Sequence, residues 1–237
     1  MEAIDRRIAD VCEEVGRSRA DVRLLPVTKT VPADILRDAF EAGMHDFAEN
    51  KVQEAQGKVV LLDDLPIRWI MVGHLQTNKV KQMVQFATEF HALDSLRFVE
   101  ALDRQLARTN RTLDVFVQAN TSGEVSKYGL ESDAVADFIT ELAAFEHLRP
   151  RGLMTLAVFS ASCDRVRACS RVLRDLRDRA LQQNPEICEL SIGMSGDYED
   201  AIREGAIVVW IGQAIFGERP TPDAYYWLDA VPHGHES

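Results

Sequence analysis

Residues 22–32 read VRLLPVTKTVP, and the fold turns on how that run is parsed. Its first part is almost wholly apolar and does not alternate with polar residues. That is the pattern of a parallel strand covered on both faces, so a strand is expected over Val22–Thr28. Pro32 then suits a helix start, because the N–H that proline lacks would have no partner in a first turn. A helix is expected over Pro32–Ala42, stopped by Gly43. Outward from this unit the same alternation recurs. Strands are expected at His45–Ala48, Arg68–Val72, Phe90–Leu93, Leu113–Ala119, Arg151–Leu156, Glu189–Ile192 and Ile207–Ile211. Between and after them, helices are expected at Asn50–Leu61, Thr77–Ala87, Ser132–Phe145, Ser162–Gln182 and Tyr198–Glu204. Another starts at Asp94 or Ser95, and a short turn follows at Gln213–Phe216. One extra helix, Glu2–Val15, precedes the first strand. Regular strand–helix alternation calls for a parallel sheet. Eight units favour closure into a single (β/α)8 TIM barrel, with an open doubly wound sheet as the competing arrangement. The barrel domain is expected over 1–230 and a disordered tail over 231–237.

The chain has 237 residues, 46% of them hydrophobic, which suits one such barrel. Its formal net charge of −11 repels phosphate backbones at long range, which argues against a nucleic-acid partner. An anionic ligand would need a local cradle of backbone N–H groups to overcome the same repulsion. The four cysteines form no C-x-x-C pair, and the six histidines show no metal-ligand spacing, so no metal site is expected. The charged N-terminus has no apolar signal core, and no apolar run is long enough to span a bilayer. A cytoplasmic protein with free thiols is expected.

In barrels the working face is the C-terminal end of the strands. Lys29 ends the first strand there. A lysine held among apolar side chains loses solvation of its ammonium form, which exposes the neutral amine that condenses with an aldehyde. A lysine whose head simply reaches solvent fits the position as well. The glycine-bearing turns SIGMSGD (191–197) and GQAIFG (212–217) follow the last two strands, where barrels often hold a phosphate. They also fit as tight turns alone. The second of them has P-loop glycine spacing without the Lys-Ser/Thr, and no G-x-G-x-x-G follows the first strand. Neither a nucleotide triphosphatase nor a Rossmann site is supported. Asn50, Asn78 and Asn120 fit either as orienting amides or as cap and turn residues.

These stretches together carry a resemblance: PVTKTVP at 26–32, AENKVQE at 48–54, WIMVGHLQTNK at 69–79 and NTSGEVSKYG at 120–129. RGLMTL at 151–156, LSIGMSGDYEDAI at 190–202 and GQAIFG at 212–217 complete it. In that order they resemble the pyridoxal phosphate homeostasis proteins, barrel-only relatives of the alanine racemase N-terminal domain. The resemblance spans about Val22 to Gly217. It implies pyridoxal 5′-phosphate (PLP) held as a Schiff base on Lys29, with Asn50 near the cofactor and Met154 packed by its ring. It also implies that Ser195 and the Gly212–Gln213 turn hold the phosphate.

Three positions depart from the family pattern. Trp210 stands where an arginine would face the pyridine nitrogen, Gln213 stands for a phosphate-binding threonine, and Ala48 stands for a glycine. Trp210 can stack, or donate its indole N–H.

The resemblance implies a non-enzymatic PLP carrier in vitamin B6, amino-acid and 2-oxo-acid homeostasis, with PLP-dependent apoenzymes as recipients. Substantial racemase activity is not expected: Lys29 is one candidate base, with no matched partner and no room for the racemase's second domain. Two other readings stay open, a PLP-independent lysine Schiff-base aldolase and a degenerate barrel serving as an interaction module.

Overall fold

A computed structural model of the protein describes residues 2–124, 128–158 and 163–217. The tail at 231–237, the end of the 1–230 domain and the start of the helix expected from Ser162 lie outside the described residues. Eight parallel strands follow the order β1-β8-β7-β6-β5-β4-β3-β2. They are β1 (Arg23–Pro26), β2 (Asp46–Glu49), β3 (Arg68–Met71), β4 (Ala87–Leu93), β5 (Leu113–Gln118), β6 (Leu148–Met154), β7 (Glu189–Ser191) and β8 (Val208–Ile211). The sheet closes where β1 meets β2, through a parallel bridge between Val27 and Ala48 and a bond from Thr28 N–H to Ala48 O of 2.8 Å.

That seam is thin for a covalent reason. Arg23 and Val27 donate their N–H groups to Ile207 and Ile211 on the β8 side, while Thr28 donates to β2. By alternation, Pro26 faces β2 and has no N–H to give.

The helices cover the outside: α1 (Glu2–Glu14), α2 (Ala33–Glu41), α3 (Val52–Leu61), α4 (Val80–Met83), α5 (Leu96–Thr109), α6 (Val135–Leu142), α7 (Cys163–Gln183), α8 (Tyr198–Arg203) and α9 (Gln213–Phe216). The leading helix α1 buries Ile8, Val11 and Cys12 and is tied to α8 by the Arg7–Glu199 and Arg203–Glu14 pairs. The barrel is therefore as expected, with its extra N-terminal helix.

Two stretches differ. The strand expected at Arg151–Leu156 runs from Leu148 to Met154. The helix expected over Thr77–Ala87 is a single 3-10 turn followed by the four-residue α4, and β4 starts at Ala87 rather than Phe90. Thr88 and Glu89 look too polar for a buried strand. Yet Ala87 pairs with Trp69 and Glu89 with Ile70, because the charge of Glu89 is answered inside the barrel by Arg23. At the strand starts Arg23, Asp46, Arg68 and Glu89 form a chain of ion pairs across the barrel floor.

Candidate functional site

At the opposite end, the mouth, β1 delivers Lys29, which is 5% exposed. A cavity of about 340 Å³ opens there, lined by Lys29, Thr30, Ile35, Gly212, Gln213 and Phe216 among others. Its size falls in the range of small-ligand pockets. Lys29, Gly212 and Gln213, drawn from the two ends of the chain, thus share one wall-to-wall space. Asn50, Met154 and Ser195 do not line it. Asn50 follows β2, and its side-chain oxygen is buried with no hydrogen-bond partner among the described residues. Met154 ends β6 fully buried, beside Gln118 of β5 and Ser191 of β7. The side-chain oxygen of Gln118 is likewise buried without a partner among the described residues.

Ser195 lies in the turn after β7. There Asp197 accepts from Met194 N–H at 2.5 Å, and Tyr198 N–H donates to Met194 O at 2.9 Å. Burial pushes the Asp197 carboxyl up, and Asp200 adds to it. Gly193 in the same turn has φ +107°, and a Cβ there would come within 2.8 Å of Ala201 Cβ. At Gly196 a Cβ would meet nothing within 4 Å. The first glycine is required by the packing. The second leaves its backbone open to an approaching group.

Behind Lys29, between the barrel wall and α3, lies a buried polar cluster. The Lys58 ammonium donates to Thr28 O at 2.7 Å, Glu49 Oε1 at 2.6 Å and Glu54 Oε1 at 2.8 Å. Thr28 Oγ1 donates to Glu49 Oε1 at 2.6 Å, and Thr30 N–H donates to Glu54 Oε1 at 2.5 Å. Thr30 has φ +67°, a left-handed conformation that costs a β-branched residue about 1–2 kcal/mol. Burial pushes the Glu49 carboxyl up, against the pull of the Lys58 charge.

The chain matches the model of the alanine racemase N-terminal domain over residues 1–220. It is 36% identical over 214 residues to the pyridoxal phosphate homeostasis protein of Aquifex aeolicus, covering 90% of this chain and 94% of that one. With the protein of the same name from Pseudomonas aeruginosa it shares 38% over 213 residues, covering 90% and 91%. The chain belongs to the pyridoxal phosphate homeostasis protein family. Among solved structures, PipY of Synechococcus elongatus with PLP bound superposes with a TM-score of 0.79 at 31% identity, over 90% of this chain and 100% of that one.

The middle of the barrel holds a buried polar set. Arg23 forks onto Glu89 at 2.7 and 2.6 Å, Glu89 Oε2 lies 3.0 Å from His91 Nε2, and His91 Nδ1 lies 2.9 Å from Ser191 Oγ. Trp210 Nε1 donates to the same Ser191 Oγ at 2.9 Å. Burial pushes the Glu89 carboxyl up, but the bonds from Arg23 and His91 outweigh it and hold the group well below the usual carboxylate range. Burial pushes His91 down, so its ring is neutral, and Arg23 balances the Glu89 charge. The proton positions then follow. His91 donates from Nε2 to Glu89 and accepts from the Ser191 hydroxyl at Nδ1. Serine, histidine and glutamate are linked in the order of a hydrolase triad, but His91 and Ser191 are both 0% exposed and closed off from solvent. Trp210 commits its only polar hydrogen to this chain. Of the two roles open to it in the sequence, stacking and donating from its indole N–H, only stacking remains for a ligand.

Sequence reading passed over Glu54, Lys58, Glu89, His91 and Ser191. A signal for the first two was present: Glu54 and Lys58 are four apart on α3, the spacing of a helical ion pair.

Proposed function

We propose that this chain holds PLP covalently on Lys29 as a Schiff base and serves as a PLP carrier in vitamin B6, amino-acid and 2-oxo-acid homeostasis. The observation that carries this reading is the mouth cavity in which Lys29 meets Gly212 and Gln213. When bound, PLP supplies the electrophilic aldehyde, and this chain supplies the amine that takes it up. Ser195, Gly212 and Gln213 hold the phosphate in the turns after the last two strands. Asn50 offers its unpartnered carbonyl oxygen to a donor on the ligand, and Met154 packs against the ring. The residues present fit the cofactor: buried oxygens of Asn50 and Gln118 await donors, and the turn at Gly196 has open space.

The same reading includes a carrier without substantial racemase activity, in the cytoplasm, with PLP-dependent apoenzymes as recipients and no nucleic-acid or membrane partner. Racemisation moves a proton on both faces of the substrate carbon and needs an acid–base group on each. Lys29 is the only ionisable side chain lining the cavity among the described residues. No helix among them is long and apolar enough to cross a membrane.

The test is direct. The purified protein is incubated with PLP and reduced with borohydride, and its peptides are mapped by mass spectrometry. A pyridoxyl adduct on Lys29, absent from Lys29→Ala, is the expected result. An adduct on another lysine, or none, overturns the proposal.

A further inference from the structure

We propose that Glu54 and Lys58 are positioning residues for Lys29, holding the two peptide groups on either side of it. This rests on Lys29 being the lysine that takes up PLP. The orientation of a side chain is set by its backbone φ and ψ, and those are set by the two flanking peptide planes. The plane before Lys29 carries the Thr28 carbonyl, which accepts from Lys58 Nζ at 2.7 Å. The plane after it carries the Thr30 N–H, which donates to Glu54 Oε1 at 2.5 Å. Glu54 and Lys58 also bond each other at 2.8 Å, so the two planes are held by one rigid unit on one face of α3.

Two features separate this arrangement from ordinary helix docking. A helix needs only side-chain or apolar contacts to pack on a strand, and α3 already buries Val52 and Ala55 against the wall. Its polar groups instead reach past the wall residues to main-chain atoms that bracket a single side chain. The second feature is Thr30. A β-branched residue does not hold φ +67° without a compensating bond, and the carboxylate of Glu54 supplies it. The left-handed step turns the chain out of the β1 direction immediately after Lys29. Glu49, fully buried, completes the unit by accepting from both Lys58 and the Thr28 hydroxyl. Burying Lys58 and Glu49, with Glu54 half-buried beside them, gives little net stability, and a well-packed apolar set of the same size would do as well. What the charged set provides is a fixed geometry at the two peptide groups.

The experiment uses the full-length protein with Glu54→Ala and Glu54→Gln. Two quantities are read in each: hydrogen exchange of the Thr30 amide without PLP, and the affinity for PLP with the extent of borohydride-trapped adduct on Lys29. In Glu54→Ala the Thr30 amide should exchange at least about tenfold faster. PLP affinity should fall about tenfold or more, while the thermal midpoint stays within a few degrees. Glu54→Gln keeps an oxygen acceptor for Thr30 and should stay within about threefold of wild type in both readouts. Fast exchange with unchanged PLP affinity overturns the proposal, because the clamp would then exist without positioning anything. Unchanged exchange also overturns it, because the clamp would not exist. If the wild-type protein takes up no PLP on Lys29, the carrier reading fails and this proposal falls with it. Thr30 exchange then still reports whether α3 grips the strand end.

Discussion

Gly193 and Gly196 sit in one turn, yet a methyl group does different damage at each. At Gly193 the added Cβ would meet Ala201 Cβ at 2.8 Å and Tyr198 Cα at 3.0 Å, on a backbone with φ +107°. Gly193→Ala should cost about 2–4 kcal/mol, strain and overpacking together, read as a lower urea midpoint. At Gly196 there is nothing to strike, so Gly196→Ala should move stability by less than about 0.5 kcal/mol. On the proposed carrier reading its effect should appear instead as weaker PLP binding, because the new methyl would stand in the turn proposed to hold the phosphate. Unchanged PLP affinity in Gly196→Ala would remove that residue from the cofactor turn. The sequence distinguishes these two glycines no better than it resolves the lysines. Lys29 is legible because it ends an apolar run at a strand's working end. Lys58 is not, because a lysine four residues after a glutamate reads as a solvated helix pair, and only the tertiary structure places both against the back of β1. Trp210 is legible as a departure, but the partner that takes its N–H, Ser191, lies on a different strand and is found only in three dimensions.

At the scale of elements, the eight strands are legible because parallel strands buried on both faces are written as unbroken apolar runs. Where a strand carries polar side chains into the barrel, as β4 does with Glu89 and His91, the pattern fails and the strand start is lost by three residues. Helix α7 poses a related problem. Its alternating arginines and aspartates look like a solvated face. Three of those arginines, Arg167, Arg171 and Arg174, converge on Glu204 just after α8, at 2.8, 3.5 and 3.1 Å. The arginines are partly exposed, but the Glu204 side chain is only 5% exposed. The carboxylate is therefore the keystone, and each arginine is individually dispensable. Glu204→Ala should lower stability by about 1.5–3 kcal/mol and loosen α8, while Arg171→Ala alone should cost less than about 1 kcal/mol. Urea denaturation of the two variants checks the ranking. An equal cost for both would mean that the cluster is a set of independent surface pairs.

For the molecule as a whole, the charges on the barrel floor tie stability to pH, and the direction of the effect can be worked out group by group. Glu89 has a folded-state pKa held well below the usual carboxylate range. Its contribution is fully present above the ordinary carboxylate value and is lost progressively as pH falls from that value toward the lowered one, because the unfolded chain takes up the proton first. Glu49, Asp94, Glu189 and Asp197 are pushed up by burial and work the other way. They favour the folded state at low pH and lose that advantage as pH rises through their raised values. A wild-type stability curve therefore mixes opposing slopes and cannot isolate Glu89, but a comparison with Glu89→Gln can. At pH 7 the variant leaves the Arg23 guanidinium facing a neutral amide and should be less stable by about 2–4 kcal/mol. Below about pH 4 wild-type Glu89 begins to be protonated on unfolding, so the two proteins should converge. Urea midpoints taken from pH 7 down to pH 3 give the gap directly. A gap of constant size would mean that Glu89 gains or loses its proton equally in both states, and that the fork from Arg23 contributes geometry to the barrel floor but no pH-linked stability.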